Sequence, residues 1–130
     1  MPRILIVDDE AVVRRVLANT LTRAGFEVEQ AANGAQAWEW LQQQRPDAVI
    51  TDIDMPRMTG AQLCQLIEEE QSDRRYPIFV VTSKTAVEHR SWSREMENVW
   101  FIEKPFSMRK LVDQLKDTLA REPVVPGEAQ

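Results

Sequence analysis

The sequence lacks several features that would place it in a specialised class of protein. It holds one cysteine, Cys64, among its 130 residues, so it cannot form an internal disulfide. It has no leader of the signal-peptide type and no apolar run of membrane-spanning length. These absences predict a cytoplasmic protein without a membrane association, in which Cys64 is a small buried hydrophobic residue.

Basic residues are too few and too scattered to form a surface for nucleic acid. The chain has 16 Lys and Arg against 21 Asp and Glu, which gives a formal net charge of -5. We therefore expect no direct binding of nucleic acid by this domain. The sequence also lacks internal repeats, and we predict a single domain over residues 1–121. A proline-containing tail over residues 122–130 is expected to be a terminus or the start of a linker.

Short apolar runs that end on polar residues are the clearest pattern present. Four of them are typical of strands buried on both faces, and a fifth alternates like a strand at a sheet edge, at residues 3–7, 47–52, 78–81, 99–102 and 26–31. Five helical patterns follow the strands, the fourth being a weak one from Thr85 to about Arg94. The first helix is expected to turn one stripe toward the sheet, comprising Val13, Val16, Leu17, Thr20, Leu21 and Ala24. Alternating strands and helices predict a parallel three-layer α/β sandwich.

The buried strands end on residues that carry chemistry. Asp8 and Asp9 follow the first strand, Asp52 ends the third, Thr82 ends the fourth, and Lys104 follows the fifth. An isolated Asp at a strand end is usually a turn former or a helix cap. In open α/β sheets, however, the carboxyl ends of the strands meet at one edge, where ligands bind. We therefore expect these side chains to converge there.

Converging carboxylates require a cation, because like charges 4 Å apart repel by roughly 4 kcal/mol at an effective dielectric near 20. Mg²⁺ suits such a group, since it takes one or two carboxylates and completes its shell with water and phosphate oxygen. Asp52, with a lysine and a hydroxyl nearby, has the neighbours that phosphoryl transfer needs. The sequence thus predicts that Asp52 is a nucleophile that forms an acyl phosphate, with Lys104 and Thr82 each contacting a phosphoryl oxygen.

From about Arg3 to Leu119, the chain resembles the receiver domain of two-component response regulators, of the chemotaxis-regulator type. The resemblance rests on Val7-Asp8-Asp9-Glu10, on Asp52 with Met55-Pro56 and Gly60, on Thr82-Ser83, and on Lys104-Pro105-Phe106. It implies a doubly wound, flavodoxin-like fold with strand order 2-1-3-4-5 and five flanking helices. It also implies a phosphorylation-dependent switch rather than an enzyme acting on a separate substrate. The phosphoryl group would come from a sensor histidine kinase or a phosphotransfer protein within a phosphorelay.

The resemblance assigns a role to each matching position. Asp9, Asp52 and the backbone carbonyl of Asp54 would bind Mg²⁺ or Mn²⁺ directly, and Asp8 would act largely through water. Lys104 and Thr82 would contact the phosphoryl oxygens, and the bond between Lys104 and Pro105 would be cis.

Switching is expected to move Thr82 inward, so that Phe101 turns into the space behind it. The output face would comprise the fourth helix, the fifth strand and the fifth helix, and would meet an effector domain, a target protein or a second copy of the chain. Trp92 is a candidate partner contact in that region, which departs from the family pattern. Asp54 and Lys84 flank the site and are expected to tune the lifetime of the acyl phosphate.

Two other interpretations remain open from the sequence alone. One is a pseudo-receiver that binds partners without being phosphorylated, although none of the expected acids nor the lysine is missing. The other is a phosphatase of the haloacid-dehalogenase type, because Asp52-Ile53-Asp54 resembles the Asp-x-Asp start of those enzymes. In such phosphatases this tripeptide follows the first strand, whereas here it follows the third.

Overall fold

The structure, a computed structural model, describes residues 1–53, 55, 58–83, 96 and 98–120. The strands are β1 (Arg3–Val7), β2 (Glu27–Ala31), β3 (Ala48–Asp52), β4 (Ile78–Thr82) and β5 (Val99–Glu103). The described helices are α1 (Ala11–Arg23), α2 (Gly34–Leu41), α3 (Gly60–Glu70) and α4 (Met108–Ala120). The predicted fourth helix, from Thr85 to about Arg94, lies outside the described residues, so the predicted fifth helix is α4.

All five strands pair in parallel in the order β2-β1-β3-β4-β5, which confirms the doubly wound α/β sheet. β1, β3 and β4 are the inner strands, and each carries side chains that are fully buried. The neighbours Ile4 and Leu5 in β1 point to opposite faces of the sheet, and each belongs to a different hydrophobic cluster. The sheet is therefore covered on both sides, as its continuous apolar runs predicted.

The apolar stripe of α1 is narrower than the sequence suggested. Leu17, Ala18 and Leu21 are buried, but Val16, which was expected to face the sheet, is 48% exposed. Successive helical residues point about 100° apart, so a contact centred on Leu17 and Leu21 turns Val16 toward solvent. The prediction for Val16 was therefore wrong. Val12 is exposed on the same helix, at 72%.

Local signals mark where α2 and α3 begin and where α1 ends. The Asn33 side chain accepts a hydrogen bond from the backbone N–H of Gln36 and so caps α2. Thr59 and Gln62 form a reciprocal capping box at the start of α3. At the end of α1, Gly25 has a φ of +99°, a conformation that favours glycine. Among the described residues no helix is long and apolar enough to cross a membrane.

Candidate functional site

Three carboxylates converge at the carboxyl ends of β1 and β3. One oxygen from each of Asp8, Asp9 and Asp52 lies within 4.8 Å of the others. The register explains this convergence, because β1 and β3 are adjacent parallel strands in which Val7 lies opposite Thr51. The residues that follow this pair, Asp8 and Asp52, therefore emerge side by side at the same edge of the sheet.

Burial makes this group of acids electrostatically costly. Asp52 is 5% exposed and Asp8 is 7% exposed, whereas Asp9 is exposed to solvent. Burial raises the pKa of Asp8, and the negative charges of Asp52 and Asp9 raise it further. A hydrogen bond from the backbone N–H of Glu10 to Oδ1 of Asp8, 2.8 Å long, acts in the opposite direction, as does the charge of Lys104. A bound cation would stabilise the three ionised carboxylates together.

Lys104 brings a positive charge to the same place from the other side of β4. Its ammonium nitrogen lies 3.4 Å from Oδ1 and 3.3 Å from Oδ2 of Asp52. The backbone N–H of Lys104 donates to the carbonyl oxygen of Thr82 at 2.8 Å, which holds the turn after β5 against the end of β4. The bond between Lys104 and Pro105 is cis, as the resemblance implied. Lys104 therefore lies beside Asp52, at the sheet edge where these side chains were expected to converge.

Thr82 and Phe101, the two predicted switch residues, lie on neighbouring strands. Thr82 ends β4 and is fully buried. Phe101 lies in the middle of β5, opposite Val80, where it is partly buried and packs against the larger hydrophobic cluster. Next to it in the strand, Trp100 is 39% exposed and its indole N–H donates to Oδ1 of Asn98 at 3.3 Å.

Some predicted positions lie outside the described residues. These are Asp54, Lys84 and Trp92. Of the predicted output face, β5 and α4 are described and the fourth helix is not. The metal ligand and lifetime roles of Asp54 and the lifetime role of Lys84 therefore stay predictions.

The donor set fits a hard divalent cation. Three carboxylates offer oxygen ligands within one small volume, and one of them, Asp9, is exposed enough to let an ion enter. The set contains neither sulfur nor imidazole ligands, which softer transition metals prefer. The chemistry of these residues thus suits Mg²⁺ or Mn²⁺.

Two features of the site were missed by sequence reasoning. A methyl group added at Gly60 would meet the Asp52 carbonyl oxygen and would lie 2.8 Å from Cα of Ile53, so glycine allows α3 to begin against the chain that leaves β3. Arg14 donates a hydrogen bond from Nη1 to the carbonyl oxygen of Asp8 at 2.6 Å. Gly60 had been named only as part of the family motif, without this packing role, and nothing in the pattern around Arg14 distinguishes it from its neighbour Arg15.

Comparison with known proteins points to one family. The family model described as the response regulator receiver domain matches residues 4–116. The chain is 33% identical over 127 residues to the response regulator MprA of Mycobacterium ulcerans, an alignment that covers 98% of this chain and 54% of that protein. The chain thus spans about half the length of the curated relatives it matches.

Solved structures give the same result for the fold. The chemotaxis protein CheY4 of Vibrio cholerae is 32% identical with a TM-score of 0.81, covering 90% of this chain and 98% of that one. The response regulator TrrA of Thermotoga maritima, solved in complex with Mg²⁺ and BeF, is 29% identical with a TM-score of 0.78, again covering 90% and 98% of the two chains.

Proposed function

The chain belongs to the family of response regulator receiver domains, and from this premise we propose that it is a phosphorylation-dependent switch in which Asp52 accepts the phosphoryl group. The observation that carries the proposal is the environment of Asp52. Its carboxylate is buried, lies within 4.8 Å of two other carboxylates, and has the Lys104 ammonium 3.3 Å away. A buried carboxylate with both metal-ligating groups and a cation beside it has the neighbours that a phosphoryl acceptor needs.

In the proposed reaction a carboxylate oxygen of Asp52 attacks the phosphorus of a phosphohistidine on a sensor kinase or a phosphotransfer protein. A P–O bond forms as the P–N bond breaks, and the electron pair of that bond leaves with the histidine nitrogen. The product is an acyl phosphate on Asp52. The reaction changes this protein rather than a separate substrate, so we class the chain as a regulator rather than an enzyme.

Each neighbour of Asp52 has a part in this transfer. Asp8, Asp9 and Asp52 would hold Mg²⁺ or Mn²⁺, together with the backbone carbonyl of Asp54. When bound, that ion supplies positive charge to a phosphoryl oxygen. The Lys104 ammonium, already paired with Asp52, is placed to take a second oxygen. The hydroxyl of Thr82 at the adjacent strand end would donate to a third.

The switch would act through the residues behind the site. Three oxygens added at Asp52 are strong hydrogen-bond acceptors that draw the Thr82 hydroxyl toward them. Phe101 lies one strand away, opposite Val80, and would turn into the space that Thr82 leaves. The output face would then change at β5, at α4 and at the predicted fourth helix, where an effector domain, a target protein or a second copy of the chain binds. Neither the pseudo-receiver nor the phosphatase alternative is favoured by any of these observations.

The proposal is tested by incubating the protein with acetyl phosphate and Mg²⁺ and locating the added mass by peptide mapping. We expect one phosphoryl group on the peptide that contains Asp52, and none when Mg²⁺ is removed by a chelator. Asp52→Asn should abolish the modification, whereas Asp113→Asn, which makes the same change at an exposed acid on α4, should leave it intact. Modification at another residue, or labelling that survives in Asp52→Asn, would contradict the proposal.

A further inference from the structure

The loop between β1 and α1 has to place two of the three acids. Asp8 and Asp9 lie in it, and Asp8 is held by its own surroundings, since its backbone N–H donates to Ala31 at 3.1 Å and its Oδ1 accepts from Glu10. Asp9 is different. Within the described residues no group donates a hydrogen bond to its carboxylate. No described donor fixes the Asp9 carboxylate directly, so the region that it can reach depends on the backbone of the loop.

Arg14 is the residue that ties this backbone to the rest of the fold. Its Nη1 donates to the Asp8 carbonyl oxygen at 2.6 Å, and its backbone N–H donates to the Glu10 carbonyl oxygen at 2.9 Å. These two acceptors lie on either side of Asp9. Its Nε also donates to Oε1 of Gln30 at 3.3 Å, which anchors the guanidinium to the end of β2. The backbone bond belongs to the first turn of α1 and would form with any side chain, so it is the guanidinium that joins the loop to the edge strand.

We propose that Arg14 is a positioning residue for the metal site, which acts by holding the backbone that carries Asp9. The proposal rests on the proposed function, because it assumes that the three acids bind a divalent cation. Arg14 offers no oxygen ligand and touches a carbonyl rather than a carboxylate. Its effect on the cation is therefore indirect, in the manner of groups that orient metal ligands and whose loss typically weakens metal binding about 10–100-fold.

Whether removing Arg14 weakens or strengthens Mg²⁺ binding distinguishes a positioning role from the effect of its charge alone. Arg14 carries a positive charge beside an acidic site, so its charge alone disfavours a bound cation, and its removal would strengthen Mg²⁺ binding. Positioning predicts the opposite, because a loosened loop must be ordered again when the ion binds. Arg15 is a matched control, since it is the next residue on α1, is exposed, and makes none of these contacts within the described chain.

The test measures the dissociation constant of Mg²⁺ by titration of the unphosphorylated protein at constant ionic strength. We expect Arg14→Ala to raise this constant about tenfold, and Arg15→Ala to leave it unchanged or slightly lower. Arg14→Lys keeps the charge but cannot reach both the Asp8 carbonyl oxygen and Oε1 of Gln30, so it should restore only part of the affinity. Gln30→Ala removes the outer anchor and should weaken binding less than Arg14→Ala, which keeps the proposal testable should the latter variant fold poorly.

A second measurement needs no metal. In the metal-free protein, hydrogen exchange at the backbone N–H of Glu10 should accelerate in Arg14→Ala, while exchange at Leu17 and Ala18 stays as in the wild type. The inference is overturned if Arg14→Ala binds Mg²⁺ as tightly as Arg15→Ala, or if exchange rises uniformly along α1. A wild-type protein that fails to bind Mg²⁺ would instead contradict the proposed function, and the exchange measurement would still decide the role of Arg14.

Discussion

The Lys104 ammonium lies 3.3 Å from Oδ2 of Asp52, although the two residues are 52 positions apart in the sequence. The pair bridges β4, because Asp52 ends β3 and Lys104 follows β5. Asp52 is nearly inaccessible, whereas the Lys104 side chain is 39% exposed and can reach both the acid and an incoming anion. In the proposed reaction the lysine would have two partners in turn, first the carboxylate and then the phosphoryl group.

Replacing Lys104 should separate metal binding from phosphoryl transfer. Lys104→Met removes the donor to one phosphoryl oxygen, so phosphorylation by acetyl phosphate should slow about a hundredfold. Mg²⁺ affinity should not weaken, because the lysine competes with the ion for the Asp52 carboxylate. The rate is measured at saturating Mg²⁺, with Lys110→Met at an exposed position of α4 as the control. A parallel loss of rate and metal affinity would contradict this assignment.

Removing one of the three acids should stabilise the metal-free protein. Asp9→Asn relieves repulsion from Asp8 and Asp52, and we expect the melting temperature without Mg²⁺ to rise by about 3–5 °C, which corresponds to about 1 kcal/mol for a chain of this size. Adding Mg²⁺ should stabilise the wild type and have little effect on this variant. Glu39→Gln makes the same charge change at an exposed site on α2, and its melting temperature should match the wild type with and without the ion. An Asp9→Asn protein that melts lower than the wild type without metal would show that the acids do not repel one another appreciably.

The protein should lose stability as the pH rises above about 9, because two buried groups stay protonated in the folded state. Burial raises the pKa of the Cys64 thiol from 9.0 to about 12, and burial also raises that of Tyr76 from 10.0 to about 12. In the folded protein both groups stay protonated at pH values where they ionise in the unfolded chain. Their contribution to the free energy of unfolding is therefore complete below pH 9 and is lost as the pH rises toward 12. We expect the free energy of unfolding in urea, measured under reducing conditions, to fall by roughly 1 kcal/mol per pH unit for each group.

Cys64→Ala should remove the thiol part of this alkaline slope. The variant will be less stable at every pH because it leaves a cavity, so the slopes between pH 9 and 11 are compared rather than the absolute values. Tyr76 is expected to keep its part, since its hydroxyl donates to Oε1 of Gln71 at 2.7 Å and stays protonated in the folded state. An unchanged slope in Cys64→Ala would contradict the assignment.

Alanine substitutions at Gly60 and Gly25 should distinguish a loss of stability from a loss of phosphorylation rate. Gly60→Ala would push a methyl group against the backbone of Asp52 and Ile53, while Gly25→Ala meets nothing within 4 Å but keeps an unfavourable φ of +99°. Each should destabilise the fold by about 1–3 kcal/mol. Only Gly60→Ala displaces Asp52, the proposed phosphoryl acceptor. At a temperature where both variants are folded, Gly60→Ala alone should therefore slow phosphorylation. Equal rates for the two variants would show that Asp52 tolerates the shift.

Sequence reasoning located most of the site because each strand and the polar residue at its end can be recognised from a short stretch of sequence. Each apolar run ends where its polar residue begins, and parallel strands must bring such ends to one edge, so the convergence of Asp8, Asp9 and Asp52 followed from patterning alone. The strand order came from the family resemblance, since alternation of strands and helices does not distinguish one doubly wound order from another.

The exposure of Val16 and the contacts of Arg14 could not be predicted from the sequence pattern, because they depend on how α1 packs against the sheet. Val16 and Leu17 are equally apolar neighbours, and only the angle at which α1 meets the sheet decides that one is buried and the other 48% exposed. Arg14 and Arg15 likewise differ only in which side of the helix faces the β1 end. Such contacts depend on how whole helices and strands pack together, and the spacing of residue types along the sequence does not reveal them.

The division of the site along the chain has a practical consequence. α3 ends at Glu70 and β4 begins at Ile78, and the connection between them passes through an exposed turn at Ser72 and Asp73. A proteolytic cut at this turn would leave the three acids on one fragment and Thr82 with Lys104 on the other. Phosphoryl acceptance would then require the fragments to reassociate, so this domain could serve as a split reporter whose labelling signals that two fused partners have met.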